Sequence, residues 1–252
     1  MDFFNYLDVK GWRPFIEIMT VFEDLRKLGR VENSSAEELE ISKKVAENLG
    51  LKTKVFKQKV SGLEKELFFL LVSKKADILE SAEEFHFGDE NNDVNMKLGN
   101  LYGYPECCIR HFNENIDLMI QEKDLELKLK TIKKDGSGKY SFLMNNFNKS
   151  GFVFHHTCSY SCKETFRRAD QVKKMIFNFD KNLFKHLKDK NRVAIIANEE
   201  RCIFLKNFTL EKDGVTINYD EVGGKAPSFG RLLEKKESIS FEDSSLNAFV
   251  FI

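Results

Sequence analysis

The chain has 252 residues, and its 40 Lys and Arg residues balance 40 Asp and Glu residues, so that the formal net charge is zero. This length allows one large domain or two small ones, and the neutral balance gives no overall signal for nucleic-acid binding. No apolar stretch approaches the roughly 20 residues of a membrane helix and no secretory signal pattern is present, so we expect a cytoplasmic protein without membrane segments.

Helix signals dominate the first fifty residues. Pro14 suits the first turn of a helix that we expect to run to about Leu28. Ser35 and Glu38 have the spacing of a capping box, which predicts a second helix reaching Leu49.

The next segments predict a pair of strands followed by more helices. Alternation around Val55 and the apolar run 67–72 indicate two strands, joined by a turn at Ser61-Gly62. Helical periodicity follows at several places, separated by polar breaks. These expected helices are 76–87, one starting at Pro105, 116–132, and a long one from Cys162 to Leu187, with a linker-like segment at 133–138.

After Asn191 the pattern changes to short strands, with a tight turn expected at Asp213-Gly214. The candidate strands are 193–197, 202–208, 215–219, 239–241 and 248–252. The order of elements predicts an α+β fold with a helical N-terminal and middle region that carries a cysteine site and a small antiparallel β-rich unit at the C-terminus. We expect these regions to be residues 1–190 and 191–252, packed as one compact protein.

Four of the five cysteines lie in two short segments about fifty residues apart. The segments are 103–108 (Gly-Tyr-Pro-Glu-Cys-Cys) and 155–162 (His-His-Thr-Cys-Ser-Tyr-Ser-Cys). Each is expected to begin a helix, whose N-terminal field favours thiolate over thiol. Because disulfides are rare in a reducing cytosol, these cysteines predict a metal or redox site. Its members would be Cys107, Cys108, Cys158 and Cys162.

The spacing of the cysteines does not decide which metal they would bind. Cys158 and Cys162 are separated as in a zinc knuckle. Cys107 and Cys108 are adjacent and should diverge by about 100° on a helix, so we expect one ligand, Cys107, and one packing residue, Cys108. This favours an iron–sulfur cluster held by three cysteines, with zinc as the alternative. Cys202 is interpreted as a core residue of a strand.

Other polar residues near these segments are candidates for chemistry. At most one of His155 and His156 should face the site, because they alternate before Cys158. His111 lies one helical turn after Cys107, and Glu106 directly precedes Cys107. His111 and Glu106 are therefore also candidate catalytic groups. The adjacent Asn145-Asn146 is a further candidate polar pair.

A basic stretch follows the second cysteine segment. Such a stretch is usually a solvated helix face, but it can also contact the phosphates of RNA. Its residues are Lys163, Arg167, Arg168, Lys173 and Lys174.

Residues 101–112 (Leu-Tyr-Gly-Tyr-Pro-Glu-Cys-Cys-Ile-Arg-His-Phe), followed by the His-x-x-Cys-x₃-Cys segment at His155, resemble the DUF483 family. This is a family of uncharacterised prokaryotic proteins, best represented in archaea. Thr157 stands where such sequences commonly have a proline before the first cysteine of the second segment. The resemblance implies a shared site and carries no established activity.

Three functional hypotheses follow from the sequence. The first is a cytoplasmic iron–sulfur enzyme that performs sulfur transfer or Lewis-acid chemistry on a small molecule or modified nucleoside. The second is a structural zinc-binding or interaction module with a closed four-ligand site. The third is a metal-free thiol redox protein with Cys107 or Cys108 as the nucleophile and Cys158 or Cys162 as its partner.

Overall fold

The fold was analysed in a computed structural model, which describes residues 12–33, 35–59, 66–87, 92–121, 123–136, 138–147, 151–197, 202–206, 208–210, 216–218, 221–223, 238–240 and 247–252. Backbone proximity divides the chain into two compact units. Unit 1 comprises the residues up to Asn113 together with Lys174–Phe179, and unit 2 comprises Glu114–Lys173 and Asp180–Ile252. The expected division between residues 190 and 191 stays a prediction.

Unit 1 contains a three-stranded antiparallel sheet in the order β1-β3-β2 with helices from the same part of the chain. The strands are β1 (Gly29–Asn33), β2 (Lys52–Lys59) and β3 (Glu66–Ser73). The helices are α1 (Trp12–Phe22), α2 (Ala36–Asn48), α3 (Ala76–Phe87), α4 (Asn92–Leu101) and α5 (Glu106–Glu114). The predicted strand pair β2–β3 is confirmed, while its expected turn at Ser61-Gly62 lies outside the described residues.

The central strand β3 is buried on both faces. Leu70 packs with Ile18 of α1 and Ala46 of α2, whereas its neighbour Leu71 packs with Leu79 of α3. Successive side chains of a strand point to opposite faces, so one continuous apolar run serves two layers of helix.

The N-terminal helix prediction is wrong at its end. Helix α1 stops at Phe22 rather than near Leu28, because Asp24 adopts a left-handed backbone conformation with φ of 56°. The chain then enters β1, where buried and exposed residues alternate from Gly29 to Asn33. The predicted cap of α2 is confirmed, since the Ser35 hydroxyl accepts a hydrogen bond from the Glu38 amide at 3.2 Å.

Helix α5 is seated on α4 at a glycine. A Cβ atom on Gly99 would lie 2.6 Å from two side-chain carbons of Ile109, so these helices approach more closely than any larger residue at position 99 allows. Ile109 directly follows Cys108, and this contact therefore fixes the helix that carries the first two cysteines.

His86 lies against the aromatic rings of Phe56 and Tyr102. Its Nε2 is 2.8 Å from the hydroxyl of buried Tyr102, and its ring centroid is 5.3 Å from that of Phe56. Burial first, and the positive charge of Arg30 second, lower the pKa of His86 to about 4. The imidazole is therefore neutral in the folded protein at neutral pH.

This depressed pKa predicts a loss of stability in mild acid. Between pH 6.5 and 4, His86 is protonated in the unfolded state and remains neutral in the folded state. The free energy of unfolding therefore falls as the pH is lowered through this range. We expect a loss of about 2 kcal/mol after allowing for the partial exposure of the ring. Denaturant unfolding at pH 7 and pH 4.5 measures it. His86→Gln retains a polar group but cannot titrate. If the free energy of unfolding of this variant fell between pH 7 and pH 4.5 as much as that of the wild type, His86 would not be the source of the loss.

Unit 2 combines helices with two sheets. The helices are α6 (Ile116–Ile120), α7 (Asp124–Asp135), α8 (Lys163–Phe179), which contributes residues to both units, and α9 (Lys181–Asn191), with a 3₁₀ turn at Phe142–Met144. The strands are β4 (Lys139–Tyr140), β5 (Val193–Ala197), β6 (Cys202–Lys206), β7 (Thr209–Leu210), β8 (Thr216–Asn218), β9 (Glu221–Gly223), β10 (Ser238–Ser240) and β11 (Asn247–Phe251).

The larger sheet has the order β4-β11-β5-β6-β9, in which the β4–β11 pair is parallel and the other pairs are antiparallel. The smaller sheet has the order β10-β8-β7 and is antiparallel. These strands confirm the α+β class with a β-rich C-terminal part. The expected turn at Asp213-Gly214 and the side chain of Cys202 lie outside the described residues.

Two predicted long helices are interrupted. The segment 116–132 divides into α6 and α7. The long helix after Cys162 divides at Asp180, whose carboxylate accepts hydrogen bonds from the amides of Asn182 and Leu183 and so begins α9. No helix among the described residues is both long enough and apolar enough to cross a bilayer. The cytoplasmic location stays a prediction.

Candidate metal centre

The first cysteine segment turns sharply into α5. Gly103 has φ of 70°, a conformation that glycine adopts without strain. The carbonyl of Pro105 then accepts hydrogen bonds from the amides of Cys108 at 2.9 Å and Ile109 at 3.0 Å, which forms the first turn of the helix. The prediction that this segment begins a helix is confirmed.

The two adjacent thiols do not diverge as expected. Cys107 is exposed and Cys108 is buried, yet their sulfur atoms are 4.0 Å apart. The Cα–Cβ bonds of neighbouring helical residues point in different directions, but each sulfur lies one bond further out and turns about χ1. Rotamer choice thus offsets the angular separation that the sequence pattern indicates.

The second cysteine segment is a loop that ends in a helix cap. Cys162 immediately precedes α8: its carbonyl accepts from the Phe166 amide at 2.9 Å and its sulfur from the Thr165 amide at 3.5 Å. Its own amide donates to the Ser159 carbonyl at 3.1 Å, closing a turn. Cys158 lies in the loop before this turn, so a loop rather than a helix face brings it near Cys162.

All four sulfur atoms lie within 4.8 Å of one another. Cys158 and Cys162 are partly buried, and all four side chains are present as thiols rather than disulfides. Among the described residues, this group contains cysteines alone. Four such ligands in this space can hold a metal ion.

The candidate histidines make their own contacts. Nε2 of His155 is 3.1 Å from the Thr165 hydroxyl, and Nε2 of His156 is 3.4 Å from a carboxylate oxygen of Asp124. Neither belongs to the cysteine group within the described part of the chain. Their catalytic roles stay predictions.

The two candidates on α5 lie on the same helix as the first cysteine pair. The exposed Glu106 forms an ion pair with Arg110 at 2.5 Å, and His111 is partly buried. Neither is a member of the cysteine group within the described residues, and their catalytic roles also stay predictions.

The basic residues after Cys162 lie on α8, where acidic neighbours accompany them. Arg167 contacts Glu164 at 3.0 Å, and Lys173 contacts Asp170 at 2.5 Å. These pairs fit a solvated helix face. RNA contact through Lys163, Arg167, Arg168, Lys173 and Lys174 stays a prediction.

Hydrogen bonds that the sequence pattern does not predict hold the second cysteine loop in place. The side-chain amide of Asn146 donates to the carbonyl of His155 at 3.2 Å, and its oxygen accepts from the hydroxyl of Tyr160 at 2.6 Å. Asp135, which the sequence pattern assigns to a linker, ends α7 and accepts a hydrogen bond from the Tyr160 amide. Asn145-Asn146 is visible as a polar pair in the sequence, but its partners are set by tertiary structure alone.

Comparison with known proteins confirms the resemblance that the sequence indicates. Residues 72–193, just under half of the chain, match the family described as "Protein of unknown function (DUF483)". Both cysteine segments and both Asn146 contacts lie inside this range.

Two archaeal relatives are similar to parts of this chain. An uncharacterised protein of Methanothermobacter thermautotrophicus is 35% identical over 101 residues, which cover 40% of this chain and 45% of that protein. An uncharacterised protein of Methanocaldococcus jannaschii is 32% identical over 101 residues, which cover 38% of this chain and 50% of that protein. The similarity thus spans about half the length of each relative. No solved structure shows a significant match.

Proposed function

We propose that this protein binds a single metal ion, most suitably Zn²⁺, through Cys107, Cys108, Cys158 and Cys162. The observation that carries the proposal is the approach of all four sulfur atoms to within 4.8 Å of one another. The ion would link residues 107–108 to residues 158–162 and so act as a structural centre.

The distances favour one ion over a cluster. Tetrahedral Zn²⁺ with bonds of about 2.3 Å places its thiolates about 3.8 Å apart. The 4.0 Å between the sulfurs of Cys107 and Cys108 is close to this value, and the whole group needs only a small contraction. In a [4Fe–4S] cluster each thiolate binds a different iron, so the sulfurs stand further apart than around one ion.

The donor set also suits a structural role. Four protein thiolates complete a tetrahedral shell and leave no position for a substrate. Soft sulfur ligands select Zn²⁺ or iron over the hard cations Mg²⁺ and Ca²⁺. A closed centre of this kind supports the interaction-module hypothesis more than the enzyme hypothesis.

The exposure of Cys107 supports a second candidate. A thiolate reached by solvent can exchange with another ligand, as the iron–sulfur enzyme hypothesis requires of one position. In that case Cys108, Cys158 and Cys162 would hold a cluster, which would supply Lewis-acid chemistry toward a small molecule or modified nucleoside at its open position. Metal-free thiol chemistry is the third candidate, and the experiment below separates all three.

Anaerobic purification followed by metal and sulfide analysis tests the proposal. We expect one equivalent of zinc, no acid-labile sulfide and a colourless protein. The Cys158→Ser/Cys162→Ser double variant is the matched control and should contain no stoichiometric metal. Four equivalents each of iron and sulfide with a brown colour would replace the single ion by a cluster, and a metal-free wild-type chain would leave thiol chemistry.

A further inference from the structure

We propose that Asn146 is a positioning residue, which holds the loop of Cys158 in its metal-binding conformation before the ion arrives. This inference rests on the proposed metal centre. The Asn146 side chain connects the two sides of the loop, since it donates to the His155 carbonyl and accepts from the Tyr160 hydroxyl. Cys158 lies between these two attachment points.

The Tyr160 end of this connection is rigid. The Tyr160 side chain is 3% exposed, and its ring centroid lies 5.3 Å from that of Tyr140 and 5.6 Å from that of Phe251. Its amide donates to the carboxylate of Asp135.

The His155 end leads to the other thiol of the segment. The His155 ring contacts the hydroxyl of fully buried Thr165 at 3.1 Å, and the Thr165 amide donates to the sulfur of Cys162. Within the loop, the Thr157 hydroxyl donates to the Ser159 carbonyl at 2.5 Å. Cys162 and the two residues that flank Cys158 in sequence, Thr157 and Ser159, therefore belong to one network of protein hydrogen bonds.

A network of this kind lowers the entropy that metal binding must remove. When a loop is already ordered, the ion does not have to order it, and the saving appears as affinity. Side chains that hydrogen-bond directly to metal ligands contribute about 10- to 100-fold in affinity, and Asn146 acts one step further out, through His155 and Tyr160, so we expect an effect at the lower end of this range. We therefore assign the ordering of the Cys158 loop to Asn146, whose side chain bonds to residues on both sides of Cys158.

Titration with Co²⁺ tests the assignment, because the visible absorption of Co²⁺ reports thiolate number and tetrahedral geometry. Asn146→Ala should bind Co²⁺ at least about tenfold more weakly than wild type. Tyr160→Phe removes one of the two hydrogen bonds and keeps the ring, so it should show a smaller loss. The double variant should resemble Asn146→Ala rather than add the two losses.

Asn33→Ala is the matched control. Asn33 likewise makes two side-chain hydrogen bonds, donating to the Val31 carbonyl at 3.2 Å and accepting from the Ser42 hydroxyl at 2.8 Å, although it is fully buried and Asn146 is partly buried. Its loss should lower the free energy of unfolding without weakening Co²⁺ binding. Hydrogen exchange of the metal-free proteins supplies a second measurement: amides of residues 157–162 should exchange faster in Asn146→Ala than in wild type.

The outcomes separate the two proposals. A wild-type chain that binds no Co²⁺ would overturn the metal centre and, with it, the role of Asn146. Normal wild-type binding with equal affinity and equal exchange in Asn146→Ala would overturn the positioning role alone. A loss of stability in Asn146→Ala with unchanged affinity would show a purely structural residue and would likewise overturn the inference.

Discussion

Cys108→Ser should lose metal as completely as Cys107→Ser. The sulfurs of these two residues are 4.0 Å apart, and both belong to the group of four within 4.8 Å. Removing one thiolate leaves an incomplete tetrahedral shell, and we expect each variant to bind Zn²⁺ at least about 100-fold more weakly, equal to about 3 kcal/mol. Competition with a chromophoric chelator at neutral pH measures these affinities under reducing conditions.

Cys202→Ser is the control for this pair, since it removes the one cysteine that lies outside both segments. It should bind Zn²⁺ with wild-type affinity. Loss of metal in one of the two variants with retention in the other would instead support a three-ligand site: retention in Cys108→Ser fits the angular separation of adjacent helical residues, and retention in Cys107→Ser fits the cluster held by Cys108, Cys158 and Cys162. Circular dichroism of each variant separates loss of a ligand from loss of the fold.

The elements that local chemistry defines were predictable from sequence. The cap formed by Ser35, the apolar run of β3 and the proline before α5 each act through residues a few positions apart, so their patterns are visible in the chain. It was also predictable that the two cysteine segments form one site. A helix N-terminus favours the thiolate, which is the form of cysteine that binds metals.

Features that the continuing apolar period conceals, or that depend on rotamers and tertiary contacts, were not predicted. The conformation of Asp24 ends α1 although the apolar period continues, and the capping carboxylate of Asp180 divides a helix whose apolar period does not stop. The approach of the Cys107 and Cys108 sulfurs depends on rotamers, which no spacing rule encodes. Asn146 acquires its two hydrogen-bond partners only when the fold brings it to the loop of Cys158.

The cysteine group combines a feature that the sequence predicts with one that it does not. Residue types and spacing indicate that soft ligands gather there, but the choice between one ion and a cluster depends on distances between sulfurs. Cys107 and Cys108 decide between the two. If their side chains diverged, only one of them could bind, and the site would have three cysteine ligands. With their sulfurs 4.0 Å apart, both can bind, and the site has four. The distance between these two sulfur atoms thus separates a catalytic hypothesis from a structural one.

Removal of the proposed metal ion should lower the stability of the folded protein. A ligand bound only by the folded state stabilises it by about 4 kcal/mol at a free concentration 1,000 times its dissociation constant. The ion would link residues 107–108 to residues 158–162, which are distant in sequence and within 4.8 Å at their sulfurs. For a chain of this size we expect the melting temperature to fall by about 8 to 16 °C. Differential scanning calorimetry with and without a strong chelator measures it.

The Cys158→Ser/Cys162→Ser double variant distinguishes this effect from a general action of the chelator. It lacks two of the four ligands, so it should melt at the temperature of the chelated wild type and should not respond to chelator. Adding Zn²⁺ back should restore the wild-type melting temperature and leave the variant unchanged. A wild-type chain whose melting temperature is independent of both chelator and Zn²⁺ would show that the four cysteines pack without an ion, because a ligand specific for the folded state must shift the unfolding equilibrium.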